Sequence, residues 1–100
     1  MKSGIELIEI ERKEQIEKHG RSIENDAKFN SSNELPNTAA LLINGGEWAS
    51  FEESDMEMMP DGWDENIWRK MLLKTYPERL IIAGALIAAE LDRLNFVNAE

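Results

Sequence analysis

No cysteine occurs among the 100 residues of this chain. This absence excludes a disulfide scaffold, a zinc site built on thiolates and a cysteine nucleophile. Long apolar runs are also missing, since the longest covers residues 80–89 and a membrane helix needs about 20 residues. Residues 1–3 lead into a charged segment rather than an apolar signal core. We therefore expect a cytoplasmic protein without a membrane partner.

Positive charge is scarce, because 11 Lys and Arg residues face 20 Asp and Glu residues and leave a net charge of −9. The excess is concentrated in residues 47–65, which hold eight acidic residues and no basic one. Duplex nucleic acid needs a basic footprint, so we do not expect it as a partner. An anionic ligand would have to bind against the nearly neutral flanking regions.

The apolar pattern predicts a single all-α domain over residues 1–100, a compact bundle of about four helices. Asn33 and Asp64 are the expected N-caps of the second and third helices, and Pro77 is expected at the first position of the last one. Residues 22–32 are expected to form a loop. The acidic segment 47–65 is expected to be irregular and to lay its apolar side chains on the domain. The helices themselves are predicted at residues 5–19, 33–43, 65–73 and 77–95.

The last predicted helix carries apolar residues on more than one face. Such a helix is either buried inside a bundle or shared between subunits. A four-helix monomer of this length cannot cover all of these faces. The pattern therefore predicts a homo-oligomer that assembles through the C-terminal helix.

Three arginines, Arg12, Arg79 and Arg93, lie within or beside apolar helices and are the candidates for binding a phosphate. The planar guanidinium donates paired hydrogen bonds that match phosphate geometry. Asp26 could contact the same ligand or form a local turn with Asn30. Trp68 could stack on a base or belong to the core.

Four glutamates, Glu11, Glu14, Glu34 and Glu90, are the candidate ligands of a divalent cation, because carboxylates suit hard metals. Each also has a structural explanation. Glu11 and Glu14 could belong to a solvated helix face, and Glu34 could stabilise a helix dipole from the first turn. Glu90 could pair with an arginine.

Three stretches of the chain resemble short phage and prophage proteins that are labelled MazG-like nucleotide pyrophosphohydrolases. They are residues 4–16 with Glu11-Arg12 and Gln15-Ile16, residues 34–40, and residues 79–94. The resemblance implies an all-α, oligomeric, Mg²⁺-dependent protein. The family's metal motifs are Glu-Glu-x-x-Glu and Glu-x-x-Asp, and this chain departs from both. Its Glu90-x-Asp92 places two acids about 200° apart around a helix.

Three functions follow as hypotheses. The first is a phage-type protein that binds and sequesters a nucleotide or a nucleotide-derived signal, as an anti-defence sponge would. The second is a Mg²⁺-dependent nucleoside triphosphate pyrophosphohydrolase that uses the four glutamates. The third is an interaction module without a small ligand. Because of the departures from the metal motifs, we expect little or no turnover of nucleoside triphosphates.

Overall fold

The computed structural model of the protein describes residues 1–19, 25, 26, 28, 30–44, 46 and 51–98. Its helices are α1 (Gly4–His19), α2 (Glu34–Ile43), α3 (Glu53–Met56), α4 (Glu65–Leu72) and α5 (Tyr76–Asn98). The described residues contain no strand, so the predicted all-α class is confirmed. Within the same residues, no helix has the length and apolar character that crossing a membrane requires.

Side-chain caps set the starts of α4 and α5. The backbone N–H of Ile67 donates to Asp64 Oδ1 at 2.9 Å, so the predicted cap of α4 is confirmed. Helix α5 begins at Tyr76, one residue before the prediction, because Thr75 and Glu78 form a reciprocal capping box. The Glu78 N–H donates to Thr75 Oγ1 at 3.4 Å, and the Thr75 N–H donates to Glu78 Oε1 at 3.2 Å. Pro77 stays in the first turn, where its missing N–H costs little.

Asn33 occupies the predicted N-cap position of α2, but its side chain does not cap the helix. Asn33 precedes the helix with φ of 70° and makes no side-chain capping hydrogen bond. Asparagine tolerates this left-handed conformation better than most residues, so its role is to turn the chain. The Glu34 carboxylate accepts a hydrogen bond from the Ser32 N–H at 2.6 Å.

The loop predicted over residues 22–32 is wrong at residues 25, 26 and 28, whereas residues 30–32 are not helical and agree with it. Asn25, Asp26 and Lys28 are helical, and the Asn30 N–H donates to the Asp26 carbonyl at 2.8 Å. Asn and Asp disfavour helix interiors because they compete for backbone hydrogen bonds. Here the Asp26 side chain instead accepts from the Asn30 amide, which supports the turn.

Helix α5 is the central element, and it packs against α1, α2 and α4. Arg79, near its start, reaches the carbonyl of Leu42 at the end of α2. Arg93, near its end, lies within electrostatic reach of Glu34 at the start of α2. Helices α2 and α5 therefore run antiparallel.

The hydrophobic core joins α2, α4 and α5. The acidic segment lays apolar side chains on this core, as predicted, but it is not irregular throughout, because Glu53–Met56 form the short helix α3. Residues 47–50 of the segment lie outside the described part. Its contributions are Phe51, Met56, Met59 and Trp63, and the buried core residues are Leu35, Ala39, Leu42, Trp68, Met71, Leu72, Ile82, Ala83, Leu86 and Ala89.

Helix α1 buries polar rather than apolar side chains. Arg12 and Gln15 are its buried residues, whereas Ile5, Ile10 and Ile16 are exposed. The apolar residues of α1 are distributed around the helix, so no single face can bury them all against α5.

Candidate ligand-binding site

The three arginines predicted to bind phosphate are all buried, and each is used inside the protein. Arg12 reaches across from α1 to α5, where its Nη2 lies 3.5 Å from Asp92 Oδ2. The Asp92 carboxylate is partly exposed, so this pair sits at the rim of the α1–α5 contact. Arg12 thus links two helices rather than pointing at solvent.

Arg93 forms a two-pronged ion pair with Glu90, one helical turn earlier on α5. The Nε–Oε1 distance is 2.5 Å and the Nη2–Oε2 distance is 3.2 Å. The hydrogen bond that Arg93 donates to the Glu90 carboxylate raises the pKa of Arg93, and the charges of Glu34 and Asp26 add to the effect. Because carboxylates surround this guanidinium, its surroundings oppose a phosphate.

Arg79 donates to backbone carbonyls. Its Nη1 lies 2.7 Å from the Leu42 oxygen, and its other nitrogens reach the carbonyls of Lys74 at 3.2 Å and Gly46 at 3.4 Å. The guanidinium also lies over the rings of Phe51 and Tyr76 at 5.0 and 5.6 Å. With 3% of its surface exposed, Arg79 holds the ends of α2 and α5 together. This is a different role from the predicted phosphate contact.

Asp26 and Trp68, the other predicted ligand contacts, are 0% and 1% exposed. Asp26 Oδ1 accepts from the Asn30 amide at 2.8 Å, and Asn30 Oδ1 accepts from the Trp63 indole N–H at 2.9 Å. The Trp68 indole N–H donates to the carbonyl of Asp55 at 3.2 Å. Its ring packs edge to face against Trp63, so Trp68 belongs to the core.

The four glutamates predicted to bind a metal do not form one cluster: Glu11 and Glu14 line one pocket, whereas Glu34 lines another. Glu11 Oε2 accepts from the Gln15 amide at 3.3 Å, and Glu14 lies 3.5 Å from Lys18. Glu34 binds the Ser32 N–H, and Glu90 binds Arg93. Among the described residues, no group of three or more acidic or histidine side chains is arranged to hold a metal ion.

A groove of about 580 Å³ runs beside α2 and has Glu34 and Trp68 among its lining residues. The amides of Asn37 and Asn44 and the side chain of Met58 also line it. It is large enough for a small molecule. Its described lining contains no lysine or arginine, so it offers a phosphate no opposite charge.

A second pocket, of about 210 Å³, lies between α1, α4 and α5, and we call it the amide pocket. Glu11, Glu14 and Gln15 line it from α1. Lys70, on α4, and Lys74, just after that helix, also line it. Apolar side chains of α4 and α5 supply the remaining walls. This pocket therefore combines an apolar interior with two cationic side chains.

Gln15 is the unusual residue of the amide pocket. It is 3% exposed, and its Oε1 has no hydrogen-bond partner within the part of the chain that the structure describes. The amide orientation follows from its neighbour, because only Nε2 can donate to the Glu11 carboxylate. An unpartnered buried acceptor costs about 1–3 kcal/mol, so such a group requires an explanation.

Comparison of the chain with known protein families, curated proteins and solved structures found no significant match. The case for a site therefore depends on the geometry. Sequence reasoning did not select Gln15 as a binding residue. The available signal was weak: Gln15 follows Glu11 by four residues, which places both side chains on one helical face.

Proposed function

We propose that the protein binds a small nucleotide-type molecule in the amide pocket. The observation that carries the proposal concerns Gln15, which lines a pocket that also holds two lysines and whose buried Oε1 has no hydrogen-bond partner among the described residues. Nucleobases present N–H groups that would satisfy this oxygen. A hydrogen-bond acceptor that is already desolvated discriminates strongly between ligands with and without a matching donor.

The charges around the pocket define the ligand further. Lys70 and Lys74 are exposed, and each ammonium carries three donors that would meet a phosphate. Lys74 lies 3.8 Å from Glu78 in an exposed ion pair, which a phosphate would have to displace. Glu11 and Glu14 line the same pocket and would repel a long polyphosphate. Ribose hydroxyls, by contrast, would donate to these carboxylates. This balance favours a nucleoside monophosphate or a compact nucleotide-derived signal over a triphosphate.

The volume of about 210 Å³ is small for a ligand site. It suits a base that packs against Met71 and Leu86 while the sugar and phosphate remain near the lysines at the surface. The resemblance to phage proteins suggests a sponge function, in which the ligand is sequestered without chemical change. A pocket that binds the base and the phosphate is sufficient for that function. Its place of action would be the cytoplasm of the host cell.

A second candidate, the Mg²⁺-dependent pyrophosphohydrolase, is favoured by one specific observation. Glu11 and Glu14, two of the four predicted metal ligands, line the amide pocket together. Glu34 lines the separate groove beside α2, and Glu90 is engaged by Arg93. The hydrolase would therefore have to operate with two of the four glutamates, which is why sequestration ranks first.

The decisive experiment is mass spectrometry of small molecules released by denaturing the purified protein, followed by calorimetry with nucleoside monophosphates. We expect a bound nucleotide that is released unchanged. Gln15→Leu should weaken binding about two- to tenfold, which corresponds to one neutral hydrogen bond of ~0.5–1.5 kcal/mol. Lys70→Ala combined with Lys74→Ala should weaken it further and reduce its dependence on salt.

The matched control is Lys13→Ala, because Lys13 is an exposed lysine of α1 outside the pocket lining. Equal affinity of wild type and Gln15→Leu would refute the site. Pyrophosphate release that requires Mg²⁺ and Glu11 would put the hydrolase first. If no nucleotide is released and none binds in calorimetry, the interaction module without a small ligand takes first place.

We propose in addition that the protein is an oligomer assembled through α5, because that helix leaves several large apolar side chains exposed.

A further inference from the structure

The groove beside α2 has one charged side chain in its described lining, and that side chain is acidic. Its volume is about 580 Å³, which is within the range of small-molecule sites. Glu34 supplies the charge, and the described lining contains no lysine or arginine. The groove and the amide pocket share no described lining residue. A ligand of the groove would therefore differ in charge from the phosphate-bearing ligand proposed for the amide pocket.

Three side chains at the start of α2 place oxygen acceptors on one face of the helix. Glu34, Asn37 and Thr38 follow the spacing i, i+3 and i+4, which brings their side chains together. All three line the groove. Cβ atoms at this spacing are about 5–6 Å apart, so one small donor group can reach several of these oxygens.

Thr38 is the buried polar residue of this face. It is 2% exposed and lines the groove, and its hydroxyl makes no hydrogen bond to another described residue. A threonine inside a helix commonly donates to the carbonyl one turn earlier, but the described contacts of Thr38 include no such bond. The unpartnered atoms that are sealed from solvent do not include Thr38 Oγ1, so this oxygen is reached from the groove.

Glu34 keeps one carboxylate oxygen for a ligand. Its Oε1 accepts from the Ser32 N–H at 2.6 Å, whereas Oε2 accepts no hydrogen bond from a described residue. Arg93 lies within electrostatic reach, but its charge is balanced by the two-pronged pair with Glu90. The positive end of the α2 dipole opposes a cation only weakly where solvent has access. The carboxylate therefore presents a negative charge to the groove.

The charge around the groove favours a cation. Met58 and Pro60 line it from the acidic segment, and their chain neighbours Glu57 and Asp61 are exposed. A concentration of one charge sign attracts ligands of the opposite sign. A hard metal ion needs several carboxylates, and the described residues supply no group of three acidic or histidine side chains for one. An organic cation needs only one carboxylate.

We propose that the groove beside α2 binds a small organic ammonium, which is an amine with an apolar body. An ammonium carries three N–H donors, and these match the oxygens of Glu34, Asn37 and Thr38. The apolar body extends along α2 to Leu41, about 10.5 Å from Glu34 along the helix axis, and packs against Met58. This site does not depend on the nucleotide proposed above.

The test is a set of NMR titrations with three probes that share a phenyl body. Phenethylamine carries the ammonium, phenethyl alcohol has a neutral head group and hydrocinnamate has an anionic one. We expect the amine to bind about tenfold more tightly than either control, because hydrogen bonds to charged groups are the stronger ones. Added salt should weaken the binding of the amine and leave that of the alcohol unchanged.

Two variants test the head-group contacts. Glu34→Gln keeps an acceptor for the Ser32 N–H but removes the charge, so it should weaken binding of the amine about tenfold and leave binding of the alcohol unchanged. Thr38→Val keeps the shape of the side chain and should weaken binding of the amine about two- to tenfold. The matched control is Glu65→Gln, which removes an exposed acid of α4 outside the described groove lining. Gln15→Leu, in the amide pocket, should also leave binding of the amine unchanged.

Equal affinities of the amine and the alcohol, or tighter binding of hydrocinnamate, would overturn the proposal. Absence of amine binding up to about 10 mM would overturn it as well. If Glu34→Gln and Glu65→Gln weaken the amine equally, the attraction belongs to the net charge of −9 and not to the groove. Circular dichroism verifies that the variants fold. If Glu34→Gln does not fold, Thr38→Val and the three-probe comparison decide.

Discussion

Replacing Arg79 by methionine tests whether a buried guanidinium holds the fold or awaits a phosphate. Methionine keeps an unbranched apolar stem beside Phe51 and Tyr76 but removes the charge and every donor. The Leu42 carbonyl, 2.7 Å from Nη1, then loses its buried partner. The longer contacts to Lys74 and Gly46, at 3.2 and 3.4 Å, are lost as well.

The expected loss of unfolding free energy is about 2–4 kcal/mol. A hydrogen bond from a charged donor contributes about 1.5–3 kcal/mol, and the Leu42 contact has the geometry of one. The aromatic contacts add about 0.5–1 kcal/mol for a cation over a ring. Domains of this size are stable by about 5–15 kcal/mol, so the variant should fold but should denature at clearly lower urea concentration.

The assay is urea denaturation followed by circular dichroism, with Arg69→Met as the matched control. Arg69 is an exposed arginine that pairs with Glu65 at 3.3 Å. Its replacement should change the unfolding free energy by less than about 0.5 kcal/mol. If Arg79→Met unfolds at the same urea concentration as the wild type, the cost of desolvating the guanidinium cancels the stabilisation that its hydrogen bonds provide. If that variant also lost nucleotide affinity, Arg79 would be a ligand residue after all.

Two further perturbations follow from the contacts of α5. Gly84→Ala should lower the unfolding free energy by about 1 kcal/mol, because crowding against Ile8 outweighs the gain in helix propensity. In an Ile8→Ala background the same change should raise the unfolding free energy. Urea denaturation of the two single variants and the double variant measures both effects. Hydrogen bonds from the Thr75 hydroxyl and backbone N–H hold the pKa of Glu78 below its ordinary value. These hydrogen bonds therefore stabilise the folded state fully above the pKa of Glu78 in the unfolded chain, about 4.3. Their contribution is lost as the pH falls through the lower pKa of Glu78 in the folded state. Glu78→Gln should flatten the decline of the melting temperature below about pH 4.3.

Local signals in the sequence determined most of the helices. Asp64 caps α4 because its carboxylate reaches an N–H three residues away. The dense apolar run of α5 stays helical through Asn98, three residues beyond the predicted end. The helical residues 25, 26 and 28 were missed, because Asn and Asp favour loops unless a neighbouring side chain satisfies them. That neighbour is Asn30, which in turn needs the distant Trp63 indole as its donor.

The candidate site followed from the sequence only in part. Glu11 and Glu14 were selected, and they do line the amide pocket. Gln15 was not selected as a binding residue. The other walls of its pocket include Lys70, Lys74 and Leu86, which are more than 50 residues away along the chain. The local sequence around Gln15 therefore does not show whether its side chain faces water or a pocket.

The sequence by itself determined the all-α class, the principal helices and the position of the negative charge, because these depend on composition and on contacts within a few residues. Tertiary structure alone decided the roles of the arginines. A long side chain can turn toward solvent or toward a buried carbonyl, and the choice depends on which backbone comes within about 3 Å of it. For Arg79 that backbone is Leu42, 37 residues earlier in the chain.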